Sequence, residues 1–297
     1  MDLCDFLLLF VLEMIDKERN ILENPSYEKI EITSEVYENL LKQEIFTISF
    51  NAGGWIAGGF AREIFLSIRS PEKSRFKDIY DYIKVGRGDV DIFFPNKESL
   101  ENLLSTAVRH KLMYTKTKFT TSAFLGIQKD ISVHLKVQLV DTFFYQDAFE
   151  AFENFDFANS CYAIVKENSK FYVIGMKYAI QADAAGVLHV KKSNSPYTIQ
   201  RMYKYLSKRG LHKISNESKD VVYDLLIRSA SHAFDKKYEI GNTLCYFNKC
   251  IKFLFESELI QVKYVVLFLG KFKKIIAPKY GPTITFDWAA DMLKNHF

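Results

Sequence analysis

The sequence predicts an α+β fold, a mixed-sheet half followed by a mainly helical half, on three observations. Short β-branched and aromatic runs alternate with amphipathic helical patterns up to about residue 175. Beyond about residue 176 the apolar periodicity is mostly helical. The composition also suits a large packed core: of 297 residues, 48% are hydrophobic and 15% aromatic, with only 13 glycines and 6 prolines. Those figures exclude a disordered or fibrous chain, and four cysteines are too few for a disulfide scaffold. At roughly 150 residues per domain, the length predicts two domains. We expect an N-terminal helical segment at 1–45, a mixed domain at 46–180 and a helical domain at 181–297.

Taken in order, residues 1 to about 45 read as helices, with Thr33 or Ser34 as N-cap before Glu35 and with Val36 and Leu40 at helical spacing. Phe46–Phe50 and the Trp55-Ile56 pair are short and apolar, which predicts buried strands. From Gly59 the pattern turns helical through Ala61, Phe65 and Ile68. Residues 70–88 read as a polar insertion. Val90–Phe94 is the next strand, stopped by Pro95, and Asn96 caps a helix with Leu100, Leu103, Leu104 and Ala107 on one face. Val133–Phe144 is a further strand, and Cys161–Val165 with Phe171–Ile174 form a hairpin around Glu167-Asn168-Ser169. Helices then follow at 176–186, 197–209, 218–233 and 243–257.

The net charge of +4 is modest but segregated. Ala184–Asn216 and Leu259–Phe286 hold no acid and many lysines and arginines, whereas Asp147, Glu150, Glu153 and Asp156 crowd together. Such segregation suggests a polyanionic partner, since a basic face gains affinity by releasing counterions from phosphates; the alternative is a set of solvated faces. The four cysteines lack metal-ligand spacing and the six histidines show none. The apolar start carries acids where a signal peptide needs basic residues and is too short to span a bilayer. We therefore expect a cytoplasmic protein, in the host cytoplasm if viral, with no membrane partner.

Six of the glycines (Gly53, Gly54, Gly58, Gly59, Gly86, Gly88) fall between residues 53 and 88. Within Trp55-Ile56-Ala57-Gly58-Gly59-Phe60-Ala61-Arg62-Glu63, a strand meets two glycines and then a helix. Glycines there let a phosphate reach the backbone, and the helix start offers unpaired N–H groups. Asp89-Val90-Asp91-Ile92-Phe93-Phe94 follows, with two carboxylates at i and i+2 of a strand, on one face and roughly 6–7 Å apart along the chain. That spacing can hold two divalent ions about 3.5–4 Å apart, as in-line displacement at phosphorus requires.

Together, Gly58-Gly59 and Gly88-Asp89-Val90-Asp91-Ile92 resemble the signature of the DNA polymerase β nucleotidyltransferase superfamily. The Gly-Gly-Phe-Ala-Arg-Glu turn is most similar to that of class II tRNA CCA-adding enzymes and bacterial poly(A) polymerases, and to their phage or viral relatives. Phe155-Asp156-Phe157-Ala158-Asn159 and the segment Tyr197–Tyr205 resemble later elements of that group, so the likeness covers about residues 50–210. It implies a polymerase β-like head followed by a helical domain. It also implies Mg²⁺-dependent transfer of NMP from an NTP to a hydroxyl with release of pyrophosphate. Gly58, Gly59 and Arg62 would bind the nucleotide, Asp89 and Asp91 would hold two Mg²⁺ ions, and Asp156 and Arg201 would sit in the nucleotide pocket. A tRNA-like RNA 3′ end is the implied acceptor. The chain departs from the pattern in its long spacer from Gly59 to Asp89, in Glu63 for Asp, and in Phe155 and Ala158 for Arg and Thr.

Many members of the superfamily carry a third carboxylate on a later strand. Here His134-Leu135-Lys136-Val137-Gln138-Leu139-Val140-Asp141 has no acid in its middle, which leaves Asp141 either as a catalytic group or as a strand-ending acid. On the 197–209 helix, Ile199, Met202, Tyr203 and Leu206 form one face, and Tyr197, Arg201, Lys204 and Lys208 the other. Its cations could meet nucleotide phosphates while the ring stacks on a base, or it could be an ordinary surface helix. Three functions stay open: NMP transfer to RNA, NMP transfer to a protein or small molecule, and a silent nucleotide- or RNA-binding subunit of a viral assembly.

Overall fold

The computed structural model of the chain describes residues 26–71, 89–109, 114–116, 120–126, 134–192, 197–208, 211, 213–218, 220–222 and 224. The N-terminal apolar run, residues 72–88 with Gly86 and Gly88, most of 218–233, all of 243–257 and the second acid-free run lie outside these residues. Two compact units divide the chain: Met1–Asn154 with Ser160–Gln181, and Phe155–Asn159 with Ala182–Phe297.

The first unit is built on an eight-stranded sheet. Its strands are β1 (Tyr27–Glu31), β2 (Trp55–Ala57), β3 (Asp89–Phe93), β4 (Tyr114–Lys116), β5 (Thr120–Gly126), β6 (His134–Val140), β7 (Tyr162–Glu167) and β8 (Lys170–Met176). They lie in the order β1-β8-β7-β2-β3-β6-β5-β4. Every pairing is antiparallel except β3 with β6, so the sheet is mixed, as expected. Helices of this unit are α1 (Glu35–Leu41), α2 (Glu44–Asn51), α3 (Gly59–Arg69), α4 (Lys97–Arg109) and α5 (Ala148–Asn154), and α6 (Lys177–Ala184) begins in it and ends at the first residues of the second. No helix among the described residues is long and apolar enough to cross a membrane.

Helix α3 is the central support of the sheet. Phe60, Ala61, Ile64 and Phe65 recur at helical spacing and are almost wholly buried. The Phe65 ring meets that of Tyr162 on β7 at a centroid distance of 5.2 Å. Gly175 on β8 makes room for this contact, because a Cβ there would stand 2.8 Å from the Tyr162 ring. β7 and β8 form the expected hairpin, turning at Asn168 and Ser169 with φ of 47° and 67°. Two consecutive left-handed residues match the right-handed twist of the strands. Asn96 caps α4 as expected, its Oδ1 accepting from the Ser99 N–H at 2.8 Å.

Two expectations are corrected. The segment 1–45 is not helical throughout, because Tyr27–Glu31 forms β1, paired antiparallel with β8 at the edge of the sheet. Phe46–Phe50 is not a strand but part of α2, where Ile45, Phe46, Ser49 and Phe50 form one buried stripe. Phe46-Thr47-Ile48-Ser49-Phe50 alternates as a strand would, but five residues are too few to fix a period, and burial of Ile45 with Phe46, Ser49 and Phe50 follows the helical one. The acid cluster also has a local use: Asp147 Oδ1 accepts from the N–H groups of Phe149 and Glu150, while Glu150 accepts from the Gln146 N–H. That reciprocal arrangement starts α5.

The second unit contains β9 (Val187–Leu188), β10 (Lys213–Ile214) and α7 (Tyr197–Lys208). β9 and β10 pair in parallel, and Phe157 forms a bridge to Val190. Asn159 ties its segment in, donating to Asp183 at 2.6 Å and to the Val187 carbonyl at 3.0 Å while accepting from the His189 N–H.

Candidate nucleotidyl-transfer site

Strand alternation and register assemble the core of the site. Asp89 and Asp91 share one face of β3, with Val90 and Ile92 buried on the other. Ala57, the last residue of β2, pairs with Asp91, so the chain leaves the sheet at Gly58 directly beside that carboxylate. A Cβ built on Gly58 would lie 4.0 Å from Asp91 Oδ2. Gly58 has φ 85° and ψ −141°, a conformation that only glycine adopts readily. Its N–H donates to the Tyr162 carbonyl and its carbonyl accepts the first helical bond from Arg62, both at 3.0 Å. Gly59 then begins α3, and its N-cap residue, Gly58, has no side chain of its own to cap the helix start. The backbone N–H groups of this first turn therefore present a positive helix end next to Asp91.

Facing the two aspartates across the β3–β6 pair are Lys136, in register with Asp89, and Gln138, in register with Asp91. With the Gln138 amide set so that its nitrogen faces the carboxylates and its oxygen the ammonium, the orientation that matches donors to acceptors, the nitrogen donates to Asp89 Oδ2 at 3.0 Å and to Asp91 Oδ1 at 3.1 Å, and the oxygen accepts from Lys136 Nζ at 2.9 Å. Lys136 Nζ also stands 3.8 Å from Asp89 Oδ2. Neither residue was singled out from the sequence. The signal was present, because both alternate with Leu135, Val137 and Leu139, which are buried.

The other expected residues are placed differently. Asp141 follows the end of β6, three residues past the partner of Asp91, or about 10 Å further along the strand. There its carboxylate accepts from Thr142 Oγ1 at 3.3 Å, at the opposite end of β6 from Asp89. Arg62 is 4% exposed and pairs with Glu63 at 2.8 Å within α3. In the second unit Asp156 is buried and accepts from Thr198 Oγ1 at 2.7 Å and from the Arg201 guanidinium. Arg201 is half exposed, and Lys204 is half-buried one turn along α7. Thr198 is wholly buried in the first turn of α7, a part that the apolar pattern of this helix does not announce.

Among the described residues no group of three or more histidine, cysteine, aspartate or glutamate side chains gathers around one point. The donors at hand still suit magnesium, a hard ion that takes oxygen ligands and is commonly held by one or two carboxylates plus substrate phosphates. Asp89 and Asp91 are the two residues that would hold it.

Residues 28–179, just over half of the chain, match the family described as Gabija anti-defense 2. The chain belongs to the Gabija anti-defense 2 family. The matched stretch holds Gly58, Gly59, Asp89, Asp91, Lys136 and Gln138. No curated protein matches the chain. Among solved structures, a CCA-adding enzyme in complex with ATP aligns at 16% identity and a TM-score of 0.48, over 89% of this chain and 59% of that one. A Thermotoga maritima CCA-adding enzyme complexed with tRNA aligns at 14% and 0.46, over 80% and 55%. A chain from a tRNA-processing enzyme complex aligns at 15% and 0.48, over 77% and 57%. This member of the family thus spans less than two thirds of the length of these structures.

Proposed function

We propose that this Gabija anti-defense 2 family protein is a nucleotidyltransferase of the polymerase β type. The observation that carries the reading is the Gly58 turn, which opens helix α3 beside two carboxylates on one strand face. The first-turn N–H groups of α3 would hold the triphosphate, and Asp89 and Asp91 a divalent ion that neutralises charge as pyrophosphate leaves. An acceptor hydroxyl oxygen forms a bond to the α-phosphorus while the bond from that phosphorus to the bridging oxygen breaks. The products are an NMP ester and pyrophosphate, and the hydroxyl proton passes to solvent.

The acceptor we favour is an RNA 3′ hydroxyl, supported by the acid-free basic stretch from Ala184 to Asn216. A second reading, NMP transfer to a hydroxyl on a protein, is favoured by the family description, which names a role against a defence rather than in RNA processing. Purified protein given Mg²⁺ and each labelled NTP, with total RNA in one arm and bacterial protein in the other, separates the two. We expect label on RNA from the native chain and at least about 10²-fold less from Asp89→Asn/Asp91→Asn. Label on protein would select the second reading. Folded native protein that moves no label to any acceptor would remove the enzyme reading altogether.

A further inference from the structure

We infer that Arg201 contacts a phosphate of the RNA acceptor, its guanidinium fixed in advance by the buried Asp156 carboxylate so that its exposed N–H groups meet that phosphate. The inference rests on the RNA-acceptor reading and names a residue of the second unit through which that acceptor would be held. Asp156 Oδ2 accepts both from Thr198 Oγ1 at 2.7 Å and from the Arg201 guanidinium. That carboxylate is therefore committed inside its own unit, and of the pair Arg201 is the residue that can reach a ligand. The Arg201 side chain is 51% exposed, against 5% for Asp156. The guanidinium thus reaches inward with one nitrogen and keeps much of its edge in water. Arginine carries five N–H donors in a rigid fork, so a single bond to Asp156 leaves donors for a second anion.

The setting suits a nucleic-acid phosphate. Arg201 lies in the stretch Ala184–Asn216, which holds seven lysines and arginines and no acid. The backbone N–H groups of Lys191 and Lys192 both donate to the Asp156 carbonyl, at 2.8 and 3.4 Å. Two more basic residues of that stretch are thereby tied to the residue that holds Arg201. A guanidinium is more weakly hydrated than an ammonium and can meet two phosphate oxygens with parallel bonds. Because Asp156 and Thr198 set its orientation during folding, little side-chain freedom is lost when RNA binds. Asp156 and Thr198 are accordingly positioning residues, and Arg201 is the one of the three that touches RNA.

Filter binding of labelled tRNA, oligo(A) and oligo(U) to the full chain, between about 50 and 200 mM salt, tests this without any turnover. We expect Arg201→Gln to weaken all three RNAs by about tenfold, and the two homopolymers by the same factor. The slope of log affinity against log salt should fall by about 0.7 on the homopolymers, the value for one phosphate of a single strand. Arg201→Lys keeps the charge and loses the fork, so we expect the native slope with reduced affinity. NTP affinity, read by calorimetry, should match the native chain in both variants. If Arg201→Gln does not fold, Arg201→Lys still decides: native RNA affinity there would overturn the inference, since the fixed fork would contribute nothing. A loss confined to one homopolymer would show a base contact and overturn the phosphate assignment. RNA binding untouched by Arg201→Gln, or NTP affinity lost with RNA affinity intact, would overturn the inference and leave the RNA-acceptor reading standing. Native protein that binds none of the three RNAs sinks that reading, and the inference with it.

Discussion

Gly58 shows how much of this site depends on a single missing side chain. Its φ of 85° and ψ of −141° let β2 turn into α3 within one residue, beside Asp91. An added Cβ meets nothing closer than 4.0 Å, so the cost of Gly58→Ala is conformational rather than steric. We expect a loss of about 1–3 kcal/mol, read by urea unfolding. We also expect weaker NTP binding by calorimetry, since relaxing the strain shifts the N–H groups of the first turn. A variant with native stability and native NTP affinity would mean that the turn is ordinary. Asp91 and Asp89 were legible as a pair because period-2 alternation alone puts i and i+2 on one face. Their partner Gln138 was not, because an amide in a strand has no chemistry until the register sets it opposite a carboxylate.

At the scale of elements, α7 is tied into its unit from its first turn. Thr198 is wholly buried there and donates to Asp156, which also takes the Arg201 guanidinium. The ring of Tyr205, further along α7, packs on Phe157 at a centroid distance of 5.2 Å. Thr198→Val keeps the shape but leaves the buried Asp156 carboxylate one donor short. We expect it to lower stability by about 1–3 kcal/mol in urea titrations, and a neutral result would show that Arg201 alone satisfies Asp156. Thr198 was hidden in the sequence because a threonine at a helix start reads as a cap, and only packing reveals a buried partner. The opposite holds at α2, where the sequence of Phe46–Phe50 reads as a short buried strand and the structure makes it part of a helix. The i, i+1, i+4, i+5 stripe of Ile45, Phe46, Ser49 and Phe50 decides it once neighbouring helix residues are in place.

For the whole molecule, the residues singled out from the sequence fall in both units. Asp89, Asp91 and the glycine turn belong to the first; Asp156, Arg201 and Lys204 belong to the second. The acid-free stretch from Ala184 to Asn216 also falls in the second unit and carries seven lysines and arginines. If it meets RNA phosphates, binding of a labelled tRNA should weaken steeply between 50 and 200 mM salt, by about 10³-fold for six phosphate contacts. A salt-independent affinity would argue against this surface. What the sequence determined by itself was the α+β class, the glycine turn and the aspartate pair, since local spacing and strand period are enough to specify them. Tertiary structure alone decided that Lys136 and Gln138 face those aspartates, that Asp141 stands at the far end of β6 from Asp89, and that β1 closes the edge of the sheet. Those facts depend on which strand pairs with which and in what register, and pairing is set by burial across the whole sheet rather than by any stretch of neighbouring residues.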